Sequence, residues 1–419
     1  MLNKKWLSIS LMTALVFSLA ACGKEEAAKT PAEPEKEEVS ILDKDFEQIL
    51  ADAKGTDVTF YGWGGSDQTN GWIDNYLTPA VKEAYDINVK RVGMGIDEIL
   101  NVLMNEKQAG KENGDIDVVW INGENFSTAM DNDLLFGPFV EKLPNIEGLI
   151  DTASMDVLYD FGKEIKGYEA PYGKAQFVME YNSDYITTPP TSAAALLEWA
   201  KANPGKFTYT ALPDFTASAF VRNLLYELVG YEQFMTMEAD EAVVREAIQP
   251  LIDYLKELKP YLWNKGVTYP GDGALLENMF ADGEVWMNMS YNPFSAQGKI
   301  ENGIYPESVR TFIFDKGTIG NTHFVAIPAN SDNKEGAMAL INFILSAEAQ
   351  ATKYVPATWG DLPVVDNSKL SADEKAMFEV EIGQASLPQS ELMDKRLPEM
   401  PANLVPIIEK IWAEEIPGE

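Results

Sequence analysis

The 419-residue chain has one cysteine, Cys22, and one histidine, His323. A lone cysteine permits no disulfide framework within the chain. Cys22 also lies upstream of the globular part, which excludes a cysteine nucleophile there. No His/Cys cluster offers a zinc site. His323, in "GNTHFVAIP" at the start of a strand, reads as a structural histidine. No G-x-S-x-G supports a nucleophile elbow. "GWGGSDQTNG" lacks the lysine of a phosphate loop. "DND" at 131–133 lacks the spaced carboxylates and distal glutamate of a calcium loop and reads as a helix-end turn. No catalytic residue, metal or cofactor is therefore assigned. Paired carboxylates of the glycosidase kind need not be adjacent in sequence, so a hydrolase stays open as an alternative. Positive charge is also scarce. Thirty-three basic residues face 66 acidic ones, a net charge of −33. That excess argues against nucleic acid and anionic headgroups as partners of the folded part, and reads as a solvated acidic surface.

The first segment is a leader. Lys4 and Lys5 precede a mostly apolar run at 6–21, broken by small hydroxyl residues such as Ser8 and Ser18. It is too short for a span of about 20 residues and reads as a signal peptide. It closes with "LAAC" at 19–22, followed by Gly23, which resembles a bacterial lipobox. That resemblance implies cleavage after residue 21 and lipidation of Cys22. The protein would then be anchored to the extracellular face of the bacterial cell membrane. Residues 22–55, with "KEEAAKTPAEPEKEE", are too rich in Glu, Ala, Pro and Lys to bury a core, and are expected to form a flexible acidic tether.

From Asp57 the pattern alternates. "DVTFYGW", "INVKRV" and "IDVVWIN" read as strands, separated by helical stripes at 72–85 and 96–110. Such alternation predicts a parallel sheet covered on both faces, with ligands beyond the carboxyl ends of the strands. An extended aromatic stretch at 163–186 leads to a second block. There "KFTYTALPDF", "EVWMNMSY", "VRTFIFDKG" and "THFVAIPAN" read as strands, among helices that include 194–201 and the run starting near Thr216.

Aromatic, amide and small polar residues gather at the ends of these strands. They are Trp63, Ser66 and Asn70; Asn122, Asn125 and Phe126; Tyr172 and Gln176; Asp214, Thr216 and Ser218; Asn288, Ser290 and Tyr291; and Trp359. Two blocks presenting such loops, joined by an extended segment, make a cleft of the kind that holds small molecules. Trp63 stands among Gly62, Gly64 and Gly65, where the backbone can be approached closely and a flat apolar wall is available for stacking. Ser66 and the helix start after it can meet polar atoms. Acids beside the tryptophans (Asp67, Glu124, Asp214) favour a cationic solute, thiamine-like or polyamine-like. The helix start with Thr216 and Ser218 would instead suit an anion.

The motifs "GWGGS..TNGWID", "DVVWINGENF", "LLFGPF", "APYGKAQFVMEYN", "PPTS...LLEWAK", "GKFTYTALPDFTASAFVR", "GTIGNTHFVAIPANSDNKEGAMALINFILSAEAQ" and "WGD" run in order from Thr56 to the C-terminus. Together they resemble ABC-transporter substrate-binding lipoproteins of the type II periplasmic-binding superfamily, extracellular solute-binding class, closest to the YnjB-like group. The resemblance implies an α/β fold of two lobes, each a mostly parallel sheet flanked by helices. Crossings would lie near 172–176, 309–312 and 356–361. Lobe 1 would be 56–172 with 312–356, and lobe 2 would be 173–311 with 357–419. It further implies a monomer that closes on its solute, docks on a membrane permease and does no chemistry itself. Thr210, Ala211 and Ala217 depart from the family pattern of Pro and Gly, which weakens an anion contact at that helix start. A lipid-tethered hydrolase and a surface adhesion or signalling module are the alternatives.

Overall fold

The computed structural model describes residues 40–417. The leader, Cys22 and the sequence up to residue 39 lie outside the described residues. Regular structure is present on the N-terminal side of the expected tether boundary at 55. Phe46–Ala53 is an α-helix opened by a capping box, in which Asp45 accepts from the Gln48 N–H and the Gln48 side chain accepts from the Asp45 N–H. Phe46, Ile49, Leu50 and Ala53 recur at helical spacing, and Ile49 and Ala53 are fully buried. This stripe packs on the helix Lys334–Ile344. The charge-rich composition hid a short amphipathic helix.

The strands are β1 (Asp57–Gly62), β2 (Asn88–Gly93), β3 (Val118–Ile121), β4 (Tyr159–Asp160), β5 (Lys163–Glu164) and β6 (Glu169–Gln176). They continue with β7 (Val178–Asn182), β8 (Met287–Ser290), β9 (Val309–Phe312), β10 (Thr318–Ala326) and β11 (Arg396–Leu397). The large sheet runs β11-β10-β3-β1-β2, with β6 also paired to β10. β1 is parallel to β2 and β3, and β10 is antiparallel to β3 and β6. Val58, Phe60 and Val118 enter one core, and Val119, Ile121 and Phe324 enter another. The sheet is thus buried on both faces, as parallel strands require. The helical run expected at 72–85 begins sooner, because Ser66 caps Thr69 and starts the helix Asp67–Trp72.

The small sheet departs from the parallel expectation: β7 is antiparallel to both β8 and β9. No βαβ crossover links these strands, so nothing forces a parallel ladder. Residues 206–212 form no strand either. Phe207 and Tyr209 are fully buried, yet the backbone there bonds to loops, with Trp263 N–H donating to Phe207 O and Ala211 N–H to Pro270 O. One large core joins this sheet to the helices Ala193–Ala202, Phe215–Val229, Gln249–Leu258 and Val405–Glu415. The chain passes between the sheets at Phe177, where β6 gives way to β7, and at 313–317, just beyond β9.

Candidate functional site

β1 and β3 are parallel neighbours with Tyr61 opposite Val119, so the segments after them emerge side by side. The first carries Trp63, 59% exposed. Glycine is required beside it: a Cβ at Gly64 would come 3.0 Å from the Gly93 Cα at the end of β2. Ser66 Oγ accepts from Thr69 N–H, and Asn70 Nδ2 donates to Gly64 O at 2.8 Å. These two side chains therefore serve the turn that presents Trp63. Gly65 lies beneath the indole, where a Cβ would collide with the ring.

The second segment carries Asn122, Gly123, Glu124 and Asn125. Asp160 of the β4–β5 hairpin accepts from the Gly123 N–H. Phe161, next in the hairpin, lies against Gly123, 6.4 Å from the Phe215 ring and 6.0 Å from the Arg222 guanidinium. Arg222 sits mid-helix in Phe215–Val229 and is 2% exposed. Its Nε donates to Glu399 at 3.2 Å and its Nη1 to Ser218 Oγ. Tyr291 Oη donates to the other Glu399 oxygen at 2.6 Å, and Ser218 Oγ donates to Glu409. One guanidinium thus meets Glu399 directly and Glu409 through Ser218, and its charge also acts on Glu124. Burial pushes the Glu124 carboxyl above the usual carboxylate range, and Arg222 offsets this in part. Glu409 is likewise raised by burial, against the Ser218 hydrogen bond. Buried like charges raise one another's cost.

The start of this same helix, Phe215–Val229, is capped by a carboxylate. Asp214 caps it, accepting from Ala217 N–H at 3.0 Å and from Thr210 Oγ1 at 2.8 Å. Thr216 is half-buried in the first turn. A carboxylate on the Ala217 N–H disfavours a phosphate at the same place.

Five of the expected site residues are packed elsewhere. Phe126 is fully buried with Ile99, Leu103 and Phe324, since the helix Glu124–Asp131 turns that side chain into the sheet. Gln176 is buried and donates to Thr318 Oγ1 and Leu392 O. Asn288 is buried against Glu180 and Tyr305. Tyr172 is fully buried in a ring cluster with Trp72, Trp120, His323 and Trp359. Trp359, 5% exposed, belongs to that cluster and is not a free wall. His323 is structural in this setting: its Nε2 lies 2.9 Å from Asp361 Oδ1. Asp361 also pairs with Lys353, whose Nζ sits 5.1 Å from the Tyr172 ring and 5.3 Å from the Trp359 ring. Of the expected site, Ser218 and Tyr291 are linked through Arg222 and Glu399, Glu124 feels the Arg222 charge, and Asp214 and Thr216 stand at the start of the helix that carries Ser218. Trp63, Gly64, Gly65, Ser66 and Asn70 form the neighbouring turn, and Asn122 and Asn125 flank Glu124.

The model of the bacterial extracellular solute-binding protein family matches residues 77–380. The chain belongs to that family. Protein YnjB of Escherichia coli (strain K12) is 36% identical over 370 residues, spanning 88% of this chain and 93% of YnjB. The periplasmic binding protein AfuA from Actinobacillus pleuropneumoniae, solved with fructose-6-phosphate, aligns with TM-score 0.62 at 15% identity over 86% of this chain and 98% of its own. A putative spermidine/putrescine ABC transporter protein from Listeria monocytogenes aligns with TM-score 0.59 at 17% identity, over 86% and 100%. The fold is therefore that of type II periplasmic-binding proteins, and the chain is a bacterial extracellular solute-binding protein. Family and neighbours are binding proteins.

Within this solute-binding protein, sequence reading missed Arg222, Glu399, Glu409, Phe215 and Trp120. Arg222 lies inside an apolar helical stripe, where a lone cation is a usable signal for a buried partner. Glu399 and Glu409 come from the C-terminal segment, and no local pattern ties them to Ser218 or Tyr291. Trp120 is half-buried at the end of β3, 5.1 Å from the His323 ring.

Proposed function

We propose that this protein captures a small organic cation between its two sheet-bearing halves and delivers it to an ABC permease, without transforming it. In this reading lobe 1 carries the large sheet and lobe 2 the small one, with the chain crossing at Phe177 and at 313–317 in place of the bounds expected at 172 and 312. The protein works as a monomer on the extracellular face of the cell membrane, held by a lipid on Cys22. Glu124, Trp63 and Tyr291 are ligand-facing, and Arg222, Glu399 and Glu409 set the field.

The observation that carries the charge of the solute is the balance at Arg222: one guanidinium against Glu399, Glu409 and Glu124, with burial already raising two of those carboxyls. The Asp214 cap at the start of the helix that carries Arg222 supports the same sign. The fold alone is neutral on this point, since a sugar-phosphate binder and a putative polyamine binder align equally well. The test is mass spectrometry of the solute that copurifies with the full protein, followed by calorimetry with that compound. A cation bound unchanged is expected. A copurified anion, or turnover of the bound compound, overturns the reading.

A further inference from the structure

The base of the β4–β5 hairpin is fastened to the half that carries the large sheet. Asp160 accepts from the Gly123 N–H just beyond β3, and Lys163 Nζ donates to Asp131 at 2.8 Å and to Ser127 at 3.2 Å. Its tip is fastened to the other half. Phe161 is buried, and its ring enters the core built around the small sheet. Phe161 O accepts from Ala402 N–H at 2.8 Å, and a Cβ added to Gly162 would meet Pro401 at 3.6 Å. The ring is wedged between the two halves. Gly123 lies on one side, where a Cβ would approach the ring to 3.3 Å, and Phe215 and Arg222 lie on the other.

The turn itself does not call for a phenylalanine. Tyr159 pairs with Glu164 and Asp160 with Lys163, which leaves Phe161 and Gly162 as a two-residue loop with φ of 44° and 78°. Two positive φ values in such a loop favour Asn-Gly or Gly-Gly. A phenylalanine at positive φ is strained, and strain of this kind persists only where surrounding contacts hold it. Those contacts are the ring packing and the Ala402 hydrogen bond, and both reach across to the small-sheet half.

We propose that Phe161 is a latch that fastens the two halves together when no solute is bound, so that the closed form is the resting state of the empty protein. The proposal rests on capture of a solute between the halves, and not on the charge of that solute. In a hinged binder the solute supplies the contacts that favour closure. Here the chain supplies part of them itself, with one ring and one backbone hydrogen bond. Solute entry then follows release of the latch, because Arg222, against that ring, is 2% exposed while the latch is seated.

The test is small-angle neutron scattering of the full protein, freed of solute by dialysis and held in contrast-matched detergent. The parent is expected to scatter as the compact form. Phe161→Asn suits the turn and removes the ring. It should lower the closed-to-open ratio by about tenfold or more, the scale of one lost aromatic contact, and so raise the radius of gyration. A merely structural role would lower the urea midpoint of the variant at an unchanged radius, and that result overturns the latch. An empty parent that is already as expanded as the variant overturns it as well. Should Phe161→Asn not fold, Phe161→Leu takes its place, keeping apolar bulk without the aromatic face, and an unchanged radius is again decisive against the proposal. No outcome depends on which solute the protein carries, so failure of the latch leaves the cationic reading standing.

Discussion

Lys353 and Asp361 form an ion pair of 2.5 Å inside the protein, with the Lys353 side chain wholly buried. The lysine comes from the helix Ala347–Tyr354, and the aspartate lies beyond the turn at 356–360 that carries Trp359. Lys353 Nζ also donates to Tyr172 O at 2.6 Å, and His323 reaches the second oxygen of Asp361. Three separated segments thus meet on one carboxylate. Burial alone would raise the Asp361 pKa, and His323 and Lys353 together pull it below the usual 3.8. Lys353→Met leaves that buried carboxylate short of a cation. The expected loss is about 3–5 kcal/mol, the range for breaking a buried pair from one side, read as a lower urea midpoint. A depressed carboxyl pKa stabilises at neutral pH, and that contribution is lost as pH falls through the folded value. Lys353→Met should therefore also flatten the acid limb of the stability profile. An unchanged midpoint would show that the pair carries no net stability.

A second buried acid has the opposite sign. Glu169 is fully buried, and neither of its carboxyl oxygens has a protein partner. Burial, reinforced by the charge of Asp160, raises its pKa well above 4.5. A raised carboxyl binds more protons in the native state than in the unfolded one. Its stabilisation is full below the unfolded value and is lost as pH rises through the folded value. Urea midpoints should therefore fall as pH rises above the ordinary carboxyl range, and Glu169→Gln should reduce that fall. Equal slopes for the two proteins would place the titration elsewhere.

The anchor is tested separately. "LAAC" at 19–22 makes Cys22 the expected acylation site. Cys22→Ser should release the protein into the medium or leave it as unprocessed precursor, seen by fractionation and intact mass. A mutant that stays processed and membrane-bound to the same extent would refute lipid anchoring at this residue.

Periodicity and punctuation made much of the large sheet legible. The apolar runs at β1, β2 and β3 and the glycines after β1 each have a local physical cause. The loop after β3 was legible as a region, but not residue by residue: Glu124 and Phe126 are two apart on a helix and face opposite ways. The small sheet was misread because antiparallel strands with long intervening helices look like βαβ units in sequence. The charged centre was invisible for a different reason. Arg222, Glu399 and Glu409 are joined only by tertiary contact, and charge pairing across 177 residues leaves no trace in spacing. The Asp45 capping box and the stripe after it were readable, but the acidic composition around them argued for a tether.

Trp63 remains the most direct test of the cleft. A tryptophan 59% exposed contributes little to the core, so Trp63→Ala should shift the ligand-free urea midpoint by less than about 0.5 kcal/mol equivalent. If the indole forms a wall of the solute site, the same variant should bind the copurifying solute more weakly by about 1–3 kcal/mol, the range for losing stacking and buried area together. Saturating solute should then raise the melting temperature of the parent far more than that of the variant, by mass action. Both quantities are needed on one protein, because a buried tryptophan cut to alanine would cost about 3–5 kcal/mol of stability with affinity nearly unchanged. A variant with parent-like stability and parent-like affinity would leave Trp63 outside the site. The wall beside Glu124 would then fall to Trp120, the half-buried indole at the end of the adjacent strand.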